Sequence, residues 1–213
     1  MSSDLLIGRL AQDLKPVRRR RPLVDGAILA SVAMVELVLL LAFGFMRSDM
    51  PKAMDMPSFW WKFISLGLIA LTSGAVAVLS LDPTRSPRRG LRWTIGLIVL
   101  ALAAGLLIDA ARDGFAALLT RLDWPNGIRC FAKMVVLSIP AVIGLGVLMR
   151  RGAPTDRAGT ALASGLAAAA LGAFVFVFAC PFDDPFYVMV WYSLGCGTVT
   201  LLGRLLLPRL TRW

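Results

Sequence analysis

Apolar positions along this chain run together in six long stretches, at about 26–46, 59–80, 91–108, 130–149, 158–179 and 186–207, separated by segments rich in charge and proline. Each is close to the roughly 20 residues that a helix rising about 1.5 Å per residue needs to cross a bilayer. The pattern predicts an all-α membrane protein, a bundle of six transmembrane helices with the third the shortest. The first stretch is too long for the apolar region of a cleavable signal, has no clear small-x-small exit, and is followed by five more. Pro51, Pro57, Pro83, Pro87, Pro125, Pro154, Pro181 and Pro185 fall between the stretches. Pro140 lies inside the fourth, where it is expected to kink the helix.

The remaining polar chain is short. Residues 1–25 form one tail, 26–207 the bundle and 208–213 a brief C-terminal end, and no loop has room for a folded domain. In the tail, Leu6, Leu10, Leu14 and Val17 recur at three- and four-residue spacing, which predicts a short amphipathic helix. Ser2 or Ser3 can cap it, with Asp4 favourable in its first turn. Asp13 belongs to its polar side, and Pro16 ends it near Leu14, before the run Arg18 to Arg21. Two readings stand side by side. The apolar face lies on the lipid surface, or it docks into a groove on a cytoplasmic partner.

Composition narrows the class. Of 213 residues, 58% are hydrophobic and 17% charged, and the mean hydropathy is +0.74, whereas a soluble domain is about half apolar and about a quarter charged. The chain has no histidine, so imidazole metal sites and histidine-based catalysis are excluded. The formal charge of +10 is explained by placement. Sixteen Lys and Arg residues lie in the tail, the second-to-third and fourth-to-fifth loops and the C-terminal end, against seven on the other side (Arg47, Lys52, Lys62, Arg112, Arg121, Arg129 and Lys133). By the positive-inside rule both termini are expected in the cytoplasm. The lipid bilayer accounts for the charge, and direct nucleic-acid binding is not expected, since the arginine run has no interleaved aromatics and abuts a span.

Candidate chemistry is sparse. Cys130 and Cys180 are expected at the outer ends of the fourth and fifth spans, which a short turn makes antiparallel neighbours. Two unconnected thiols, a permanent disulfide, and a pair that meets an oxidant or a soft metal ion all remain open. Asp183 and Asp184 are expected to raise the Cys180 pKa and slow its reaction. Cys196, mid-membrane, reads as packing. Glu36, halfway along the first span, is expected to face the bundle interior or a water-filled cavity, in a packing or coupling role. Gly165 and Gly172, flanking the Ala-rich run 167–170, mark a close helix contact. Met46, Met50, Met54 and Met56 cluster in the first outer loop as flexible filler. No nucleophile with a base, phosphate loop or carboxylate dyad appears, so no enzyme is expected.

Asp13-Leu14-x-Pro16-Val17-Arg18 stands ahead of the first span, followed by the six spans and the outer cysteines. Further along come Arg150-Arg151-Gly152-Ala153-Pro154, the Ala/Gly-rich fifth span, Cys180-Pro181 followed by acidic residues and an aromatic, Trp191, Pro208-Arg209-Leu210 and Trp213. In these features the chain resembles the NrsF-type membrane anti-sigma factors of proteobacteria. The resemblance implies that the tail, through Leu6, Leu10, Asp13, Leu14, Pro16 and Val17, holds an extracytoplasmic-function sigma factor away from RNA polymerase. It further implies an inner-membrane location and a periplasmic pair, Cys130 and Cys180, that senses a heavy metal or oxidant, with no resident cofactor beyond transient soft-metal binding there. Trp191-Tyr192 stands where that pattern has Trp-His, which favours thiol chemistry over metal coordination. The alternatives are a small exporter of a metal or organic ion, argued from Glu36 and Pro140, and a structural subunit of a membrane complex.

Overall fold

A computed structural model describes residues 21–112 and 118–210. The tail residues Leu6, Leu10, Asp13, Leu14, Pro16 and Val17, and Trp213, lie outside the described residues. The six spans are Pro22–Ala42, Pro57–Leu79, Arg88–Arg112, Trp124–Arg151, Arg157–Phe176 and Pro185–Leu210, with short helices at Met50–Ala53 and Leu118–Arg121. Each of the six is long and apolar enough to cross a membrane, and the chain is an all-helical, multi-pass membrane protein.

The boundaries differ from the apolar stretches for a local reason. Pro57, Pro125 and Pro185 stand in the first turn of a helix, not between spans, as does Pro22. Proline is tolerated there because the missing N–H has no intrahelical acceptor. The third span is 25 residues long, not the shortest, because its helix continues beyond the apolar run through 88–90 at one end and 109–112 at the other. The fourth starts at Trp124, which places Cys130 nearly two turns inside it, and runs unbroken through Pro140 to Arg151. The fifth ends at Phe176, so Cys180 sits in the following loop and not on the helix.

The fifth span is the centre of the bundle. It packs against the second, fourth and sixth spans, while the first lies outside against the fourth and second. Buried positions make up 72% of the fifth span's apolar window and 11% of the first span's. In lipid there is little hydrophobic drive between helices, so close backbone approach and van der Waals contact must supply the association. Ala161, Ala163, Ala167, Ala168, Ala169 and Ala173 are accordingly all fully buried. A Cβ on Gly165 would stand 2.8 Å from the Thr200 carbonyl oxygen, and one on Gly172 would strike the Ser138 backbone at 2.7 Å. Those two glycines bring the fifth helix onto the sixth and the fourth, as their spacing suggests.

The loops at the two ends are tied differently. At the end holding 80–87 and 152–156, Thr155 Oγ1 donates to the Pro83 carbonyl at 3.3 Å, and Asp156 caps the fifth span at the Gly159 N–H at 2.9 Å. At the other end, the loop 177–184 is held by buried charges, and both Cys130 and Cys180 are there.

Candidate functional site

Cys130 and Cys180 meet. Their sulfurs are 4.0 Å apart, and the two side chains are 6% and 0% exposed. Both are free thiols. The pocket around them is made by Met134, Phe176, Tyr187, Trp191 and Tyr192. The Tyr187 hydroxyl is turned toward Cys130 and the Tyr192 hydroxyl toward Cys180, yet both oxygens are buried outside hydrogen-bond geometry.

Trp191 sets the start of the helix that carries Cys130. Its Nε1 donates to the Leu122 carbonyl at 2.8 Å, its ring meets Trp124 edge-on at 5.5 Å, and it lies where any side chain on Gly127 would have to be. The turn into that helix passes through Asp123 in the left-handed region (φ 40). Asn126 steadies it by donating to the Asp123 carboxylate at 2.7 Å, a polar local contact that makes Asp tolerable where φ is positive.

The loop that carries Cys180 is clamped by three cations. Lys62, on the second span and fully buried, donates to the Phe182 carbonyl at 3.0 Å and the Cys180 carbonyl at 3.5 Å, and pairs with Asp183 at 2.5 Å. Arg47 pairs with the other Asp183 oxygen at 2.7 Å and holds Asp49 through two bonds of 2.7 and 2.8 Å. It also donates to the Pro181 carbonyl at 3.2 Å. Arg121 pairs with Asp184 and with the buried Asp109 of the third span. Asp184 in turn accepts the Tyr187 N–H at 3.0 Å and so caps the sixth span. Buried charges are tolerable only when paired and hydrogen-bonded in this way.

The electrostatics follow. Hydrogen bonds to Asp49 and Asp183 hold the Arg47 guanidinium above its ordinary range, and Arg47 holds the Asp49 carboxyl below its own. Asp109 and Asp184 raise Arg121 in the same manner. The Cys180 thiol is lowered, first by the hydrogen bond with Cys130 and then, against the opposing effect of burial, by the Lys62 ammonium. This corrects the expectation that Asp183 and Asp184 raise it. Both carboxylates are ion-paired, and the charge that acts on the Cys180 thiol is the Lys62 ammonium.

Arg47, Lys62 and Arg121 counted only as minority charges in the topology argument. The available signal was that these cations share one end with Asp49, Asp109, Asp183 and Asp184. Of the other residues singled out, Cys196 sits apart, its thiol directed at the Ala169 carbonyl at 3.7 Å between the fifth and sixth spans. Glu36 is buried and lines a groove between the first and fourth spans. Met50 packs under the thiol pocket, while Met46, Met54 and Met56 are exposed. Among the described residues, no three or more of His, Cys, Asp and Glu gather as a metal-binding set. Two adjacent sulfurs alone suit a soft cation rather than a hard one, and the nearby ammonium of Lys62 opposes any cation there.

Comparison with known proteins places this architecture. The chain is 32% identical over 219 residues to the anti-sigma-F factor NrsF of Caulobacter vibrioides (strain NA1000 / CB15N), covering all of both chains. It is 30% identical over 181 residues to the probable anti-sigma-F factor NrsF of Azospira oryzae (strain ATCC BAA-33 / DSM 13638 / PS), covering 83% of this chain and 82% of that one. No solved structure matches. The family model for NrsF, negative regulator of sigma F, matches residues 10–213, and the chain belongs to that family of regulators, which are not enzymes.

Proposed function

We propose that this protein holds an extracytoplasmic-function sigma factor at the bacterial inner membrane and lets it go when Cys130 and Cys180 react at the periplasmic face. Its membership in a family of negative regulators of sigma F makes it an anti-sigma factor with a sigma factor as partner. In this reading both termini are cytoplasmic, as the Lys and Arg distribution favours. The tail residues Leu6, Leu10, Asp13, Leu14, Pro16 and Val17 form the sigma-binding face.

The observation that carries the sensing half is the pair of buried thiols 4.0 Å apart, one on the fourth span and one on a loop clamped to the second and third. Oxidation would join the sulfurs at about 2.05 Å, releasing two protons and passing two electrons to the oxidant. A soft metal ion would instead take both as thiolates and release two protons. Either event changes the sulfur spacing, and with it the seat of the fourth helix against the loop. To take the sigma factor from about 1:99 to about 99:1 free, the two states must differ by about 5.5 kcal/mol in its affinity.

The test is co-purification of the full chain from gentle-detergent membranes, with the bound proteins identified by mass spectrometry. Wild type retains a sigma factor, and Leu10→Asp loses it. Oxidant or cadmium releases it from wild type but not from the Cys130→Ser/Cys180→Ser variant. Wild type that brings down no sigma factor sinks the partner assignment. Release from the double variant sinks the sensor alone.

A further inference from the structure

Away from the thiols, a groove of about 950 Å³ runs between the first and fourth spans. Val32, Val35 and Leu39 of the first span, Val136 and Pro140 of the fourth and Phe176 of the fifth line it. One acid interrupts this apolar surface. Glu36 lines the groove with only 9% of its surface exposed, and its Oε2 has no hydrogen-bond partner. An ionisable group at this depth costs a few kcal/mol unless something answers it.

A second acceptor lies beside it. Gly144 faces Val32 across the antiparallel helix pair, and counting from that contact brings Glu36 level with Pro140. Proline has no N–H, so the carbonyl four residues before it, that of Val136, receives no bond from Pro140. Val136 and Pro140 both line the groove. The residues that carry an unpartnered carboxyl and a carbonyl without its helical donor therefore line one apolar space. Lys133 lines it too, but the same count places it level with Phe43, at the mouth.

We propose that this groove binds a lipophilic amine from the lipid phase, its ammonium shared between the Glu36 carboxylate and the Val136 carbonyl and its chain lying along Val32, Val35 and Leu39. The site offers two acceptors, which an ammonium with several N–H donors satisfies together. A plain acyl chain leaves the carboxyl bare, and an anion is repelled. A bilayer aminophospholipid keeps its ammonium at headgroup level, whereas Glu36 is six residues inside Ala42, about 9 Å deeper at about 1.5 Å per residue.

The experiment uses the full chain in phosphatidylcholine nanodiscs with dodecylamine, dodecanol and dodecanoate as probes, counted by native mass spectrometry. One equivalent of dodecylamine binds, about tenfold tighter than dodecanol, because charge-assisted hydrogen bonds are the strong ones. Glu36→Gln removes that preference and leaves dodecanol binding unchanged, and Pro140→Ala reduces it by a smaller factor. The wild-type comparison of amine with alcohol stands even if a variant fails to fold. Equal binding of amine and alcohol overturns the proposal, as does full amine affinity in a folded Glu36→Gln protein. So does Val35→Cys oxidation to a disulfide-linked dimer across this groove to the same extent with dodecylamine present as without it, because the occupant is then a second copy.

Discussion

Lys62 Nζ lies 2.5 Å from Asp183 Oδ1, with side-chain exposures of 0% and 6%. The pair joins the second span to the residues immediately after Cys180. It fixes the height of the loop against the bundle, and through the Phe182 and Cys180 carbonyls it also fixes the loop's path. The position of Cys180 opposite Cys130 is thus set by an ammonium 118 residues earlier in the chain.

Lys62→Met is expected to destabilise the protein by about 3 kcal/mol, the lower end of the cost of breaking a buried pair. Arg47 still answers Asp183 in the variant, which limits the loss. Thermal unfolding in detergent measures it. The same variant should slow oxidant-driven joining of Cys130 to Cys180, read by peptide mapping. An unchanged melting temperature would show that Lys62 is not holding the loop.

The reactivity of Cys180 should follow pH with a midpoint below the ordinary 9.0. Because the folded value is depressed, the thiolate's contribution to stability is complete above the ordinary value and is lost as pH falls through the lowered one. Peptide-resolved alkylation of a Cys196→Ser protein gives the profile. Cys130→Ala should shift the midpoint up furthest, since Cys130 is the main cause, and Lys62→Met should shift it up less. A midpoint near 9 in the parent protein would refute the electrostatic account.

Gly172→Val is expected to push the fourth span off the fifth, because its side chain would meet the backbone of Ser138. Overpacking of this kind costs about 1–3 kcal/mol. Cys130 rides on the fourth span and Cys180 on the loop that leaves the fifth, so cross-linking between them should fall with stability. Gly26→Val, where nothing stands within 4 Å, is the control and should leave both readings in place.

Trp191→Phe keeps much of the ring and removes the bond to the Leu122 carbonyl. The buried acceptor left behind costs about 1–3 kcal/mol. Since that carbonyl lies just before Asp123 and the fourth span, the variant should expose Cys130 to maleimide faster than wild type. An unchanged labelling rate with lowered stability would separate the role of Trp191 in packing from any role at the thiols.

Much of the architecture is legible in the order of residues along the chain. Six spans and the shared location of Cys130 and Cys180 follow from hydropathy and charge taken in order along the chain. The glycines at 165 and 172 also announced themselves, since small residues have one common use between helices in lipid. Helix ends were less legible. Prolines that read as boundaries at 57, 125 and 185 begin helices, because the first turn does not need their N–H.

That the chain crosses the membrane six times with two cysteines at one end can be read from its residues in order, because the free energy of placing a helix in lipid is a sum over its own residues. That the two sulfurs lie 4.0 Å apart, that Lys62 and Arg47 share Asp183, and that Arg121 joins Asp109 to Asp184 emerges only when the helices pack. Those contacts depend on how each helix is rotated about its axis and how closely its neighbours approach. The glycine and alanine faces of the fifth span set both, and a pattern of apolar and polar positions, nearly uniform within each span, carries no record of rotation.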